Sequence, residues 1–291
     1  MGLRAGFVGV GRIGTPMALR ALRAGFPLAV HDARPEALQR LVDAGAKGCA
    51  SAAEVARACE VACVVVLDDA QTREVVAGRA GLLAGASPGS VICICSTVSE
   101  STVLELGAQA AARGVQLLDA GVAGGVPSAE SGSLVTMIGG DASASERARP
   151  LLESFSKELI HAGPAGAGMR LKLVKNLMSY LALAAAHEGR LLAEAAGFDG
   201  ALARRVADST ALLEQFFRYG LERAGAQRLA PDAARAELEH AVAYAAVARK
   251  DLAAALALAD ALGVELPVTA CAMRAVGALF RLPAALEPDA R

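Results

Sequence analysis

The chain has 291 residues, of which 54% are hydrophobic and 20% charged, and its formal net charge is −1. That length suits two domains and a large core, the composition excludes a disordered chain, and near-neutral charge without a long basic run excludes an electrostatic grip on nucleic acid or an anionic membrane. No apolar stretch reaches the roughly 18 uncharged residues of a membrane span, and the N-terminus enters a strand without the segments of a signal peptide, so a cytoplasmic protein is expected.

The first element is an apolar strand over Gly6–Val10, running into Gly9-Val10-Gly11-Arg12-Ile13-Gly14 and then a helix through Met17 to Leu22 that stops at Gly25. Strand, three-glycine turn and helix start together form a dinucleotide-binding pattern. Gly9 makes the tight turn, Gly11 lets backbone approach a pyrophosphate, and Gly14 lets the helix pack on the sheet, while the helix N-terminus offers free N–H groups. A second strand, Leu28–His31, ends at Asp32, near the offset of roughly 20 residues at which a carboxylate accepts from the adenosine ribose. Asp32 favours NAD, whose free 2′-hydroxyl it can bind. Arg34, two residues on, could pair with a 2′-phosphate and keeps NADP as the alternative.

Further short strands are expected near Lys47-Gly48-Cys49 and over Val61–Leu67, Val91–Cys95, Gln116–Asp119, Ser133–Gly140 and Leu159–His161, alternating with helical segments. Such alternation predicts parallel strands joined by helices. From about Gly168 the chain is Ala- and Leu-rich with helical periodicity, punctuated at Gly197, Gly225, Pro231 and Gly263. The expected fold is α/β: an N-terminal Rossmann-type doubly wound sheet, residues 1–163, followed by an all-helical C-terminal domain, residues 164–291. The first helix of the second half, from about Ala167 to about Ala196, would be on the order of 45 Å long.

The six cysteines contain no Cys-X-X-Cys pair and the four histidines are scattered, so neither a metal nor a disulfide is assigned. Chemistry is expected instead at Lys172 and Asn176, which at i and i+4 share one helix face. A lysine beside a nicotinamide can exchange a proton with an oxygen, and an amide can hold that oxygen. An ordinary lysine, with pKa near 10.4, donates readily during reduction, but to act as a base near pH 7–8 it must be depressed by burial or by cations such as Arg170 and Lys175.

The chain resembles the β-hydroxyacid dehydrogenase family along essentially its whole length. The resemblance rests on Gly6-Phe7-Val8-Gly9-Val10-Gly11-Arg12-Ile13-Gly14-Thr15-Pro16-Met17-Ala18, Ser96-Thr97-Val98-Ser99 and Asp119-Ala120-Gly121-Val122-Ala123-Gly124-Gly125. It continues through Gly132–Gly140, Gly166-Ala167-Gly168 with Lys172 and Asn176, and Lys250-Asp251-Leu252. It implies an NAD(P)-dependent oxidoreductase that interconverts a small 3-hydroxy acid and its semialdehyde or oxo acid. Lys172 would be the proton donor and acceptor, with Asn176 orienting the substrate. Thr97, Ala123, Gly124, Gly125 and Asp251 would border the substrate, the two glycines through backbone N–H groups. Gly9, Gly11, Arg12, Ile13, Gly14, Asp32, Arg34, Leu67, Thr97 and Lys250 would hold the cofactor. Two positions depart from the family pattern: Gly121 replaces a proline, and Ala123 replaces the serine whose hydroxyl helps hold the substrate carboxylate.

Two alternatives follow from the same residues. An imine reductase shares the fold pattern but usually lacks the lysine, and Ala123 in place of the family serine keeps open a non-catalytic NAD(P)-binding sensor or assembly protein. The apolar surface of the helical half suggests a homodimer or homotetramer, with a small carboxylate or aldehyde as the other partner.

Overall fold

Successive residues of the central strands point into two different cores, which is how a sheet covered by helices on both faces must be built. In the computed structural model, which describes residues 2–211, 214, 228–230 and 233–286, Phe7, Cys63 and Cys93 belong to one buried cluster. Their neighbours Val8, Val64, Ile92 and Ile94 belong to the other. The first cluster lies under helices α1 (Gly14–Arg23) and α7 (Ala142–Glu153), where Met17, Ala21, Leu151 and Leu152 close it. The second lies under α3 (Ala52–Ala58) and α5 (Glu100–Ala111), with Val55, Val103 and Leu106. Phe7 and Phe155 meet edge to face at 6.1 Å in the first.

Among the described residues the eight strands are β1 (Ala5–Val8), β2 (Leu28–His31), β3 (Lys47–Gly48), β4 (Val61–Val64), β5 (Val91–Ile94), β6 (Gln116–Ala123), β7 (Leu134–Gly139) and β8 (Ser156–Gly163). They lie in the order β3-β2-β1-β4-β5-β6-β7-β8. The first six follow the doubly wound dinucleotide order, and the strand order reverses direction between β1 and β4. Every pair is parallel except β6 with β7, which run antiparallel from Asp119 opposite Gly139 to Ala123 opposite Val135. The purely parallel expectation therefore fails there. Between them lies only α6 (Gly125–Ser131), and a parallel crossover needs a dozen or more residues.

Several strand ends also differ from expectation, for local reasons. β1 stops at Val8 because Gly9 N–H makes the last rung, to the His31 carbonyl, and Val10 N–H then turns to the Asp32 carboxylate. β4 stops at Val64 because Val66 N–H donates to the Ser96 hydroxyl rather than to a strand. β6 continues past Asp119 to Ala123, and β8 runs from Ser156 to Gly163, because β7 pairs with both.

The chain divides into two compact units, Met1–Leu177 and Met178–Arg291. This division falls beyond the 163/164 boundary expected from sequence, because the first turns of α8 (Ala167–Ala195) pack directly on strand backbone: a Cβ on Gly168 would stand 2.5 Å from the Met137 carbonyl oxygen. The second unit contains the remainder of α8, then α9 (Gly200–Ser209), α10 (Arg235–Ala261) and α11 (Pro267–Leu279). Gly197 and Gly263 take positive φ just past α8 and α10, as helix-stopping glycines do. Gly225 and Pro231 lie outside the described residues. A small core of Leu229, Ala241, Ala245, Val276 and Leu282 holds α10 to α11.

Candidate functional site

The glycine turn after β1 is sterically dictated at two of its three positions. Gly9 has φ +87°, and a Cβ there would stand 2.3 Å from the Val65 carbonyl oxygen, so only glycine lets the loop after β1 meet the loop after β4. A Cβ on Gly14 would stand 2.2 Å from the Gly9 carbonyl oxygen, which is the close approach of helix to turn. Gly11 is different. Among the described residues beyond its chain neighbours, the Arg34 guanidinium alone comes close, 3.7 Å from where a Cβ would stand, so packing within the fold does not demand glycine there. That space lies at the start of α1 beside the backbone of Gly11, Arg12 and Ile13, where a helix N-terminus can receive an anion.

Beside the turn lies a groove of about 380 Å³ lined by Val10, Gly11, Arg12, Thr15, Arg34 and Arg40 among others. Asp32 stands at the end of β2. One carboxylate oxygen accepts from Val10 N–H at 2.8 Å, and the other from Arg34 N–H at 3.0 Å and the Arg34 side chain at 3.3 Å. A carboxylate has about four acceptor positions, so capacity for a ribose hydroxyl remains. Partial burial draws the Asp32 carboxyl upward, but the Arg34 and Val10 amides and the Arg34 guanidinium outweigh it and hold it below the ordinary value. Asp32 thus shapes the turn, a task that its spacing in the sequence does not reveal.

The loops after β4 and β5 are braced to each other. The Ser96 hydroxyl accepts from Val66 N–H at 2.8 Å and donates to the Val66 carbonyl at 2.9 Å. Asp69, in the first turn of α4 (Asp69–Ala77), accepts from the Ser99 amide at 2.9 Å, from the Ser99 hydroxyl at 2.6 Å and from the Thr102 hydroxyl. The Ser99 and Thr102 hydroxyls and the Ser99 amide hold its carboxyl down to about 2. Leu67 and Thr97 are exposed on these two loops, so the bracing fixes the segments that present them.

Lys172 enters from α8. It is buried, its stem lies against Gly121, and its amine donates to the Val122 carbonyl. A Cβ on Gly121 would come within 3.1 Å of the Lys172 stem, so the glycine that replaces the family proline leaves room for it. Burial, with a smaller contribution from Lys175, lowers the Lys172 pKa to about 8. Arg170 is not among the causes, and its guanidinium is 2.6 Å from Glu100 in an ion pair. That pair ties α8 to the first turn of α5, directly behind the Thr97 loop. Asn176 is half-buried one turn beyond Lys172. Just past Val122, Ala123 ends β6, and Gly124 and Gly125 follow with φ of +126° and +71°, both exposed.

Lys172, Asn176, Thr97, Ala123, Gly124, Gly125 and the dinucleotide turn all belong to the first compact unit. Lys250 and Asp251 lie on α10 in the second, ion-paired to each other at 3.2 Å. Sequence reasoning gave no task to the side chain of Asp119, the Val122 carbonyl, Glu100 or Arg40. Of these, the buried acid in an otherwise apolar strand was the signal available. Among the described residues no group of three or more His, Cys, Asp or Glu is placed to hold a metal ion, and no helix is long and apolar enough to cross a membrane.

Residues 4–163 match the model of the NAD binding domain of 6-phosphogluconate dehydrogenase, and residues 166–282 that of the NAD-binding domain of NADP-dependent 3-hydroxyisobutyrate dehydrogenase. A 3-hydroxyisobutyrate dehydrogenase of Pseudomonas aeruginosa is 36% identical over 69% of this chain and 67% of its own length. A 3-sulfolactaldehyde reductase of Escherichia coli is 32% identical over 91% of this chain and 86% of its own. A crystal structure of an oxidoreductase from Mycobacterium avium superposes with a TM-score of 0.83 at 38% identity, covering 97% of this chain and 100% of that one. A doubly wound sheet that matches a dinucleotide-binding domain, followed by a helical half that matches 3-hydroxyisobutyrate dehydrogenase, places the chain in the β-hydroxyacid dehydrogenase family, as an NAD(P)-dependent oxidoreductase acting on a CH–OH group.

Proposed function

We propose that the protein interconverts a small 3-hydroxy acid and its semialdehyde or oxo acid, with Lys172 as the proton donor and acceptor. One observation carries this reading: a buried lysine, lowered to about 8, has its amine at the end of β6 next to Ala123-Gly124-Gly125. At that pKa about a tenth of the amine is neutral at pH 7 and about half at pH 8, so both directions are served near neutrality. In oxidation the neutral amine takes the hydroxyl proton. In reduction the ammonium returns it to the oxygen.

The Val122 carbonyl aims the amine, and the Asn176 amide, one turn further along the same helix, would donate to the reacting oxygen. The Gly124 and Gly125 amides would receive the substrate carboxylate, with Thr97 and Asp251 at its border. The Gly9-Val10-Gly11-Arg12-Ile13-Gly14 turn, Asp32, Arg34, Leu67 and Lys250 would hold NAD(P), whose nicotinamide supplies the hydride acceptor or donor. Residues 1–163 would form the nucleotide half and 164–291 the substrate and oligomerisation half. The exposed apolar side chains along α8, Leu173, Val174, Leu177, Tyr180 and Leu181, support a homodimer or homotetramer.

The test is turnover of short 3-hydroxy acids and semialdehydes with NAD(H) and NADP(H) in parallel, with Lys172→Ala as the control. Turnover should fall by at least about a thousandfold in Lys172→Ala, and nucleotide affinity should hold. In the active protein, oxidation should rise with pH to a plateau above about 8, and reduction should fall there. An active Lys172→Ala would overturn the proposal.

A further inference from the structure

Asp119 is fully buried on β6, and both its oxygens are committed to the start of α8. One accepts from Gly166 N–H at 2.8 Å and the other from Met169 N–H at 2.6 Å, across 47 and 50 residues of chain. An ordinary helix cap comes from the residue just before the helix and leaves the helix free to move against its neighbours. Here the cap comes from a strand. It therefore registers the helix on the sheet, and two further close approaches tighten that register. A Cβ on Gly139 would stand 2.5 Å from the Asp119 carboxylate and 2.7 Å from Gly168 N, and one on Gly168 would stand 2.7 Å from Gly139 N.

The same strand touches Lys172, which lies on the helix less than a turn past Met169. Gly121 receives its stem and the Val122 carbonyl its amine. We propose that Asp119 is the positioning residue of Lys172, fixing through the first turn of α8 where the lysine amine sits relative to β6; this rests on the catalytic reading of Lys172. The residue type follows from the geometry. Only an ionised carboxylate offers two acceptors and no donor, and its charge faces the N-terminus of a 29-residue helix, where negative charge is stabilised. An asparagine of the same shape would turn an NH2 toward one of the two buried N–H groups. The helix start would then shift to relieve it.

The test reads Lys172 itself and needs no substrate: the pH dependence of its acetylation by acetic anhydride, followed by peptide mass spectrometry in the full-length protein. The unaltered protein should show half-reactivity near pH 8. Burial and Lys175 set that value, so a loosened seat raises it, and Asp119→Asn should move it toward the ordinary lysine value near 10.4. Once a turned-over substrate is in hand, kcat should fall by about 10- to 100-fold with KM and nucleotide affinity nearly unchanged, as expected for a misplaced catalytic group. Asp119→Asn with lowered melting temperature but the reactivity midpoint still near 8 would reduce Asp119 to a structural cap and overturn the proposal. If that variant does not fold, Gly168→Ala displaces the same helix start with the carboxylate intact and should move the same midpoint. Rapid exchange of the Gly166 and Met169 amides in the unaltered protein would also overturn it. Lys172→Ala separates the two readings: if it stays active the catalytic assignment fails, whereas an inactive Lys172→Ala beside an unmoved Asp119→Asn midpoint sinks only the positioning role.

Discussion

Lys172 carries an energetic cost that its proposed chemistry would require. A pKa lowered from 10.5 to about 8 means the folded protein holds the charged form about 3 kcal/mol less favourably than the unfolded chain does. The unfolded state binds more protons between pH 8 and pH 10.5, so stability rises with pH across that window and the full cost applies below it. Lys172→Met, which keeps the stem and removes the charge, should therefore be about 1–3 kcal/mol more stable at pH 6–7, the gain shrinking toward pH 10. Chemical denaturation at several pH values reads this, and a variant less stable at pH 6 would contradict it. Ala123 poses the complementary question at the substrate. A charge-assisted hydrogen bond is worth roughly 1.5–3 kcal/mol, so Ala123→Ser should raise kcat/KM for a small 3-hydroxy acid by about 10- to 100-fold if the carboxylate sits at Gly124-Gly125. No gain with any such acid would place the carboxylate elsewhere.

At the scale of elements, side chains from distant segments take over where local capping stops. Ser51, Asp68, Ser99, Asp141 and Asp199 cap their own helices and are readable from sequence as such. The starts of α8 and α11 are different. Asp119 serves the first, and Glu188 serves the second, accepting from Val268 N–H at 2.5 Å, Thr269 N–H at 2.8 Å and the Thr269 hydroxyl at 2.6 Å. Glu188 reads in the sequence as one more solvated acid on an amphipathic helix, yet it is 6% exposed. Glu188→Ala strands these donors and should cost about 2–4 kcal/mol, visible as a lower melting temperature, with nucleotide affinity intact. A loss within about 0.5 kcal/mol would mean that water replaces the carboxylate.

At the scale of the whole molecule, strand order decides which loops meet. Because β4 lies beside β1, the Gly9 turn touches the loop after β4, and because β5 follows, Ser96 can bind Val66. The antiparallel β7 then lets β6 extend to Ala123, which carries Val122 to the Lys172 amine. Beyond the single chain, the apolar side chains exposed along α8 predict self-association. Light scattering at micromolar concentration should give at least twice the chain mass, and Leu177→Glu with Tyr180→Glu should lower it. A strict monomer before any substitution would count against the proposed assembly.

Local patterns were enough for the sequence to determine the glycine turn, the acid at Asp32, the alternation of strands and helices, and the pairing of Lys172 with Asn176 on one helix face. Each depends on residues within a turn or a strand of one another, where spacing maps directly onto geometry. The acidity of Lys172 was legible only as a requirement, since burial belongs to the packed molecule and Lys175 proved to be the contributing cation while Arg170 turned to Glu100. The tertiary structure alone decided the reversal of β7, the part of Asp32 in shaping the turn, the contact of Gly121 with the lysine stem and the seat of α8 on Asp119. All of these join residues far apart in the chain. A carboxylate acquires its partners from the strand order and the close backbone approaches that packing permits, and no periodicity in the sequence records them.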